Sequence, residues 1–247
     1  MQSRAAREKA AYDTGIDRGA YEKVFSHCAA YSDFGGKIKN VMPLGHSRVL
    51  LELGCSVWYT WLEKNNIYPS TLHAINISEG ELEKGKRLAT DALNKPMFHL
   101  MDAHRLEFED NTFDMVFGRA ILHHLDLTIA LGEIKRVLKP HGTIVFSEPL
   151  GINPVGKVVR YFTPCARTKD EQPFRFKDLS MLRNHFRVEL YPFQFFSVPF
   201  GVLSYLILSN RRNWLTYTGA KLDNLLITIV PPMRYFYRRV LIIGEKA

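Results

Sequence analysis

The sequence predicts an α/β protein whose core is a doubly wound, mostly parallel sheet of seven strands, with helices on both faces. Two observations carry this prediction. Between Arg48 and Leu150, five short apolar runs alternate with segments of helical periodicity, which is typical of buried parallel strands joined by helices. Two further strand-like runs follow, separated by a longer apolar insertion that we expect to be helical.

The first of the five alternating strands is a nearly wholly apolar run that ends in glycine. In chain order they are RVLLELG (48–54), TLHAINIS (71–78), MFHLMDA (97–103), FDMVFGRAIL (113–122) and GTIVFSEPL (142–150). The later strands are FRVELYPFQFF (186–196) and the C-terminal RRVLIIGEKA (238–247). Right-handed crossovers between parallel strands then restrict the topology to few arrangements.

Before the sheet, residues 1–40 are expected to form an N-terminal helical cap, because apolar residues recur at helical spacing and Gly35-Gly36 ends the pattern. Tyr21 and Tyr31 lie in this cap and are candidate substrate contacts. Residues 41–247 are expected to form the main domain, and 152–235 its substrate-cap region, within one domain overall.

The run from Leu190 to Asn210 has no charged residue and is long enough to raise the question of a membrane span. Pro192 and Pro199 interrupt it, and its first part alternates like a strand, so we do not predict a span. Contact with a membrane surface stays open as an alternative, although it is not the expectation.

Composition excludes several classes of protein. The chain has 247 residues with 46% hydrophobic and 23% charged residues, which is a globular balance, and its formal net charge is +8. Its three cysteines have no metal-ligand spacing, so we expect neither a metal nor disulfides, and a cytoplasmic location. No N-terminal apolar signal and no dense basic tail is present, so secretion and a nucleic-acid partner are not expected. A homodimer stays open.

Ligands of an open parallel sheet bind beyond the carboxyl ends of its strands. The residues that end each predicted strand are therefore the candidates for a binding site. They are Glu52 to Gly54, Asn76, Asp102 with Ala103, Gly118 to His124, and Glu148.

The order and spacing of these segments resemble the class I S-adenosylmethionine-dependent methyltransferase family, which has a Rossmann-like fold. The resemblance runs from about Val49 to Gly151 and lies in LELGC, NISEGELEKGKRLA, MDAHRLEFEDNTFDMVF, ILHHLD and EIKRVLKPHGTIVFSEPLG. It implies S-adenosylmethionine as cofactor and a small-molecule substrate. It places the cofactor against Glu52, Gly54, Ser56, Asn76, Ile77, Asp102, Ala103, Gly118 and Arg119.

By resemblance, Gly54 lets the backbone approach the methionine end of the cofactor and Asp102 accepts from the adenine amino group. The chain departs from the family pattern in two ways. Ser56 and Trp58 replace glycines of the loop, and Asn76 replaces a carboxylate that binds the ribose. An amide lacks the charge-assisted bonds of a carboxylate, so we expect weaker ribose binding.

The acceptor side offers histidines and a polar loop. His123 and His124 follow strand four, where one is expected to face the pocket as a general base. Further catalytic candidates are Glu148, Asn153 and Tyr161, and Arg167 and Glu171 are substrate-binding candidates. The alternative is that these residues only pack or pin the loop.

The sequence thus predicts methyl transfer to an oxygen or nitrogen of a natural-product, glycan or lipid-like acceptor. One alternative is a cyclase or lyase, in which the cofactor's own amino group displaces methylthioadenosine. Another is a non-catalytic binding protein that keeps only the fold.

Overall fold

The computed structural model describes residues 4–13, 19–31, 34–41, 48–55, 62, 68–92, 95–153, 161 and 172–246. Seven strands form one sheet: β1 (Val49–Leu53), β2 (Thr71–Asn76), β3 (Met97–Leu100), β4 (Phe113–Arg119), β5 (Leu138–Pro149), β6 (Phe186–Phe193) and β7 (Arg239–Lys246). Their order is β3-β2-β1-β4-β5-β7-β6.

The first five strands pair in parallel, and β7 pairs antiparallel to both β5 and β6. The predicted mostly parallel, seven-stranded sheet is therefore confirmed. Because β6 and β5 both oppose β7, β6 runs in the same direction as the first five strands. Its end at Phe193 thus lies at the same edge as the ends of β1 to β5.

The described helices are α1 (Arg4–Asp13), α2 (Gly19–Cys28), α3 (Phe34–Val41), α4 (Glu79–Leu88), α5 (Leu127–Val137), α6 (Phe176–His185), α7 (Ser197–Ile207) and α8 (Trp214–Ile229). Short 3₁₀ helices span Leu122–His124 and Pro231–Phe236. The helical insertion before the last strand is thus α7, α8 and the second 3₁₀ helix.

Two local expectations were wrong. Gly35-Gly36 does not end the helical pattern, because α3 runs through both glycines and buries Ile38 completely. The burial of that apolar side chain outweighs the low helix propensity of two glycines, which costs about 1 kcal/mol each. The third strand was predicted to reach Asp102, but it ends at Leu100. The next residue, Met101, donates its backbone N–H to the Asn76 carbonyl.

Both faces of the sheet are buried, which explains the nearly continuous apolar runs in the sequence. Along β1, Leu51 and Leu53 join one core cluster and Leu50 joins the other. Along β4, Val116 and Phe117 divide in the same way. The sheet is therefore rigid, and it fixes the loops at its carboxyl edge.

Candidate cofactor site at the carboxyl edge of the sheet

The loop after β1 turns sharply at Gly54, whose φ is +92°. Only glycine adopts this conformation without strain, so the family glycine at this position has a physical cause here. Gly54 donates its N–H to Ile75 over 2.9 Å. Glu52, two residues earlier, is fully buried in the strand.

The side chain of Asn76 ties the loops after β1 and β2 together. Its Nδ2 donates to the Gly54 carbonyl over 2.8 Å, and its Oδ1 accepts from the Ser78 N–H over 2.9 Å. A carboxylate accepts hydrogen bonds and does not donate, so it could not make the first of these bonds. The departure from the family pattern at Asn76 therefore has a structural role in this chain.

Asp102 follows β3 and is held in place by His104. Oδ1 of Asp102 accepts from the His104 backbone N–H over 2.9 Å and lies 2.6 Å from His104 Nδ1. His104 Nε2 accepts from the Asp126 N–H over 2.8 Å, so Nδ1 is the ring nitrogen that donates to Asp102. The hydrogen bond from His104 lowers the pKa of Asp102, which is therefore ionised at neutral pH.

In the part of the chain that the structure describes, only Oδ1 of Asp102 accepts hydrogen bonds, and 37% of its side chain is exposed. The second oxygen is thus directed away from this internal contact. A fixed, ionised carboxylate at the end of the third strand fits the role of acceptor for an adenine amino group.

The loop after β4 folds back over the glycine turn. A Cβ at Gly118 would lie 2.7 Å from Ile121 Cγ2 and 3.0 Å from the Leu53 carbonyl, so only glycine fits there. A Cβ at Gly54 would touch the same isoleucine at 3.4 Å. The loops after β1 and β4 thus meet around Ile121.

Glu148 near the end of β5 holds that loop. Its Oε1 accepts from the N–H groups of Ile121 and Leu122, each over 3.0 Å, and its Oε2 lies 2.7 Å from His123 Nδ1. Glu148 is fully buried. A carboxylate engaged at both oxygens positions the loop, and the catalytic role of Glu148 stays a prediction.

His124 is covered by α1. Its Nε2 lies 3.2 Å from the Tyr12 hydroxyl, and its Nδ1 lies 3.0 Å from Glu8 Oε2, with an alignment poorer than that of a hydrogen bond. Both His124 and Glu8 are buried. Asp13, at the end of the same helix, accepts from the Ser78 hydroxyl over 2.5 Å. Helix α1 therefore spans the loops after β2 and β4.

Glu8 and Tyr12 were not predicted as site residues. Their spacing of four residues places both side chains on one face of a helix, and that spacing was the signal that could have found them. Nothing in their residue types indicated that this face meets a histidine from the loop after β4.

The remaining predicted residues make other contacts or fall outside the described residues. Tyr31 packs edge-on against Tyr217 of α8, with ring centroids 5.5 Å apart. Asn153 is buried and donates through Nδ2 to the Phe236 carbonyl over 2.5 Å. Tyr161 is 79% exposed.

The other predicted positions are only placed or not described. Ile77, Ala103 and Arg119 lie at the carboxyl edge in the loops after β2 and β3 and at the end of β4. Residues Ser56, Trp58, Arg167 and Glu171 fall outside the described residues, as does the side chain of Tyr21.

Within the described ranges, no group of His, Cys, Asp and Glu side chains is arranged to hold a metal ion. None of the helices that the structure describes is long and apolar enough to cross a membrane.

A seven-stranded sheet of this order, with an antiparallel β7 and a glycine turn after β1, defines the class of Rossmann-like methyltransferase folds. Residues 51–146 match a family model described as a methyltransferase domain. The demethylmenaquinone methyltransferase of Staphylococcus saprophyticus is 38% identical over 96 residues, which are 38% of this chain and 41% of that one.

The malonyl-[acyl-carrier protein] O-methyltransferase of Halorhodospira halophila is 31% identical over 104 residues, covering 41% of this chain and 35% of that one. The chain thus spans less than half the length of these relatives. A solved structure of geranyl diphosphate C-methyltransferase from Streptomyces coelicolor, with S-adenosyl-L-homocysteine bound, superposes with a TM-score of 0.60 at 11% identity. The superposition covers 85% of this chain and 73% of the geranyl diphosphate C-methyltransferase chain.

Residues 51–146 thus resemble a methyltransferase domain, which agrees with the resemblance that the motifs indicated. This match supports S-adenosylmethionine as the cofactor.

Proposed function

We propose that the protein transfers the methyl group of S-adenosylmethionine to the oxygen of a small, largely apolar acceptor. The observation that carries the proposal is the contact of His124 Nε2 with a hydroxyl, that of Tyr12, at 3.2 Å. His124 lies after β4, in the loop that folds over Gly54.

The cofactor supplies a methyl group bonded to positively charged sulfur, which is already activated for transfer. Gly54, Asp102 and Gly118 are the residues that would hold it. Gly54 forms the turn with positive φ at which the backbone would approach the cofactor, Gly118 makes room for Ile121 in the loop over that turn, and Asp102 offers an ionised carboxylate to the adenine.

The acceptor hydroxyl takes the place of the Tyr12 hydroxyl at His124 Nε2. His124 Nε2 would accept the proton of that hydroxyl, while the bound cofactor would supply the methyl group and keep the electron pair of the broken carbon–sulfur bond on its sulfur. Glu8 lies next to Nδ1 and stabilises the positive charge that the ring then gains.

Helix α1 acts in this proposal as the lid of the site. It bridges the loops after β2 and β4 through Asp13 and Tyr12. Its buried Glu8 excludes water from the side of His124 that the acceptor does not reach. Exclusion of water strengthens the electrostatic contacts of the ring.

The test is to incubate the pure protein with S-adenosylmethionine and a panel of apolar hydroxyl, amine and thiol compounds, and to identify the products by mass spectrometry. We expect S-adenosylhomocysteine and an O-methylated product, each dependent on the hydroxyl compound. Transfer to amines alone would contradict the oxygen acceptor, and methylthioadenosine formed without any acceptor would favour the cyclase. No turnover together with no cofactor binding would favour a non-catalytic protein.

A further inference from the structure

The hairpin formed by α7 and α8 (Ser197–Ile229) exposes apolar side chains where a surface helix normally carries polar ones. Helix α7 has the sequence SVPFGVLSYLI and contains no charged residue. Its buried positions include Val198, Gly201 and Ser204. The rest of its surface shows large apolar side chains to solvent: Val202, Leu203, Tyr205, Leu206 and Ile207.

The tip of the hairpin is the most exposed part of this surface. Leu206 is 70% exposed, Ile207 60% and Trp214 67%. Arg211 and Arg212 lie between them in the connecting turn and are exposed as well. Among the residues that the structure describes, neither arginine forms an ion pair.

The turn is rigid, so this combination of side chains is presented in a fixed arrangement. Asn213 donates to the Ser204 hydroxyl and to the Asn210 carbonyl, each over 2.6 Å. The Thr216 hydroxyl donates to the Arg211 carbonyl over 2.9 Å. On the inner side, Ser204 also bonds His27 of α2 at 2.8 Å.

The charged residues in and around the hairpin are almost all basic. Between Leu190 and Gly244 the sequence contains a single acidic residue, Asp223. That carboxylate is buried and accepts hydrogen bonds from the Phe195 and Phe196 N–H groups and from Ser197 at the start of α7. The same stretch contains Arg211, Arg212, Lys221, Arg234, Arg238 and Arg239.

We propose that the tip of the α7–α8 hairpin docks on an anionic phospholipid membrane surface, with Leu206, Ile207 and Trp214 in the interface and Arg211 and Arg212 at the headgroups. Apolar side chains flanked by tryptophan and arginine are suited to this boundary, and each basic residue near an anionic surface strengthens binding. A second copy of the chain fits less well. A symmetric contact through the tip would bring like charges together, with no exposed carboxylate on the patch to pair with them.

The orientation of the hairpin is consistent with access to the site. Helix α7 starts four residues after the end of β6, and β6 ends at the same edge of the sheet as the loops that hold Gly54 and Asp102 and the end of β5 that holds Glu148. Docking does not depend on methyl transfer, so it is testable by itself.

The experiment is co-sedimentation of the 247-residue chain with vesicles of phosphatidylcholine alone and of phosphatidylcholine with phosphatidylglycerol. We expect binding to the anionic vesicles, weakened by salt. Arg211→Gln/Arg212→Gln should lower the partition coefficient roughly 20-fold, since each basic residue contributes about 1 kcal/mol, or about fivefold. The matched control is Arg183→Gln/Arg187→Gln, an exposed pair at the opposite edge of the sheet, which should change binding less than twofold.

Leu206→Gln should lower the partition about tenfold, because burial of a leucine side chain is worth about 1.5–3 kcal/mol. Leu88→Gln, at an exposed leucine in the last turn of α4, is its control. A blue shift of tryptophan fluorescence on adding anionic vesicles should disappear in Trp214→Phe. Three results would each overturn the proposal: no vesicle binding, equal losses in the control variants, or an oligomer that the Leu206→Gln variant converts to monomer without any change in vesicle binding.

Discussion

The carboxyl edge of the sheet and the α7–α8 hairpin differ in their polar side chains, which are hydrogen-bonded within the protein at the edge and exposed to solvent at the hairpin tip. At the edge, Asn76 and Glu148 each hydrogen-bond a neighbouring loop, and Asp102 bonds His104, which in turn bonds Asp126, so the loops are held in one arrangement. At the hairpin tip, Arg211 and Arg212 point to solvent beside exposed apolar side chains. The difference suggests that the edge is prearranged for one small ligand, whereas the hairpin offers area and charge to a large surface.

The largest effect on stability is expected at Glu148, which holds the loop after β4 at the carboxyl edge. Glu148→Ala leaves the Ile121 and Leu122 N–H groups and His123 Nδ1 without their buried partner. Each unsatisfied donor costs about 1–3 kcal/mol, so we expect the free energy of unfolding to fall by roughly 3–5 kcal/mol. Urea denaturation measures this. If Glu148→Ala is as stable as the wild type, the edge is not held by that carboxylate.

His124→Gln tests the chemistry of the edge apart from its stability. Loss of a general base lowers kcat by about 10²–10⁴, and cofactor affinity should stay the same because His124 is not among the residues proposed to hold it. Tyr12→Phe serves as the comparison, since removal of the competing hydroxyl at Nε2 should keep or raise kcat. Unchanged turnover in His124→Gln would exclude it as the base.

Asn76→Asp restores the carboxylate of the family pattern and removes the donor to the Gly54 carbonyl. We expect cofactor affinity to fall severalfold, because loss of that bond costs roughly 1 kcal/mol and places two oxygens against each other. Calorimetric titration with S-adenosylhomocysteine measures this, and Asn210→Asp in the exposed hairpin turn is the control. Tighter binding by Asn76→Asp would mean that the ribose contact outweighs the structural one.

The smallest effect concerns the far edge of the sheet, where His73 Nδ1 and His99 Nε2 lie 2.9 Å apart on β2 and β3. Burial lowers the pKa of His73 and that of His99, and His99 lowers the pKa of His73 further. A folded-state pKa below the unfolded value of about 6.5 means that the unfolded chain binds more protons at acidic pH, so stability falls as the pH drops below about 6.5.

His99→Gln should therefore reduce the decrease in Tm between pH 7.5 and pH 5.5 by a small amount, about 1–3 °C, as measured by calorimetry. An unchanged decrease would mean that the histidine pair does not contribute to the acid sensitivity of the fold.

The sequence was sufficient for the sheet, because its strands are buried on both faces and read as apolar runs between helices. It also located the carboxyl-edge residues, since topology alone brings the strand ends together. It was not sufficient for contacts between distant segments. That Glu8 meets His124, or that Asn76 binds the Gly54 carbonyl, depends on how α1 and the loops pack, which no local pattern encodes.

Gly35-Gly36 shows that a local pattern can also be overridden by tertiary packing. Local propensity predicted the end of a helix, and the tertiary burial of Ile38 kept the helix intact. The charge of the hairpin, by contrast, is readable from the sequence, although its exposure is not.

The most direct test of the account is calorimetric titration of S-adenosylhomocysteine into the wild-type protein and into Asp102→Asn. Asp102 offers an ionised carboxylate fixed by His104, and a hydrogen bond to a charged group is worth about 1.5–3 kcal/mol. We predict saturable one-to-one binding by the wild type, weakened roughly 10- to 100-fold in the variant. No binding by the wild type, or equal affinity in Asp102→Asn, would contradict the proposal that the carboxyl edge of this sheet holds the cofactor.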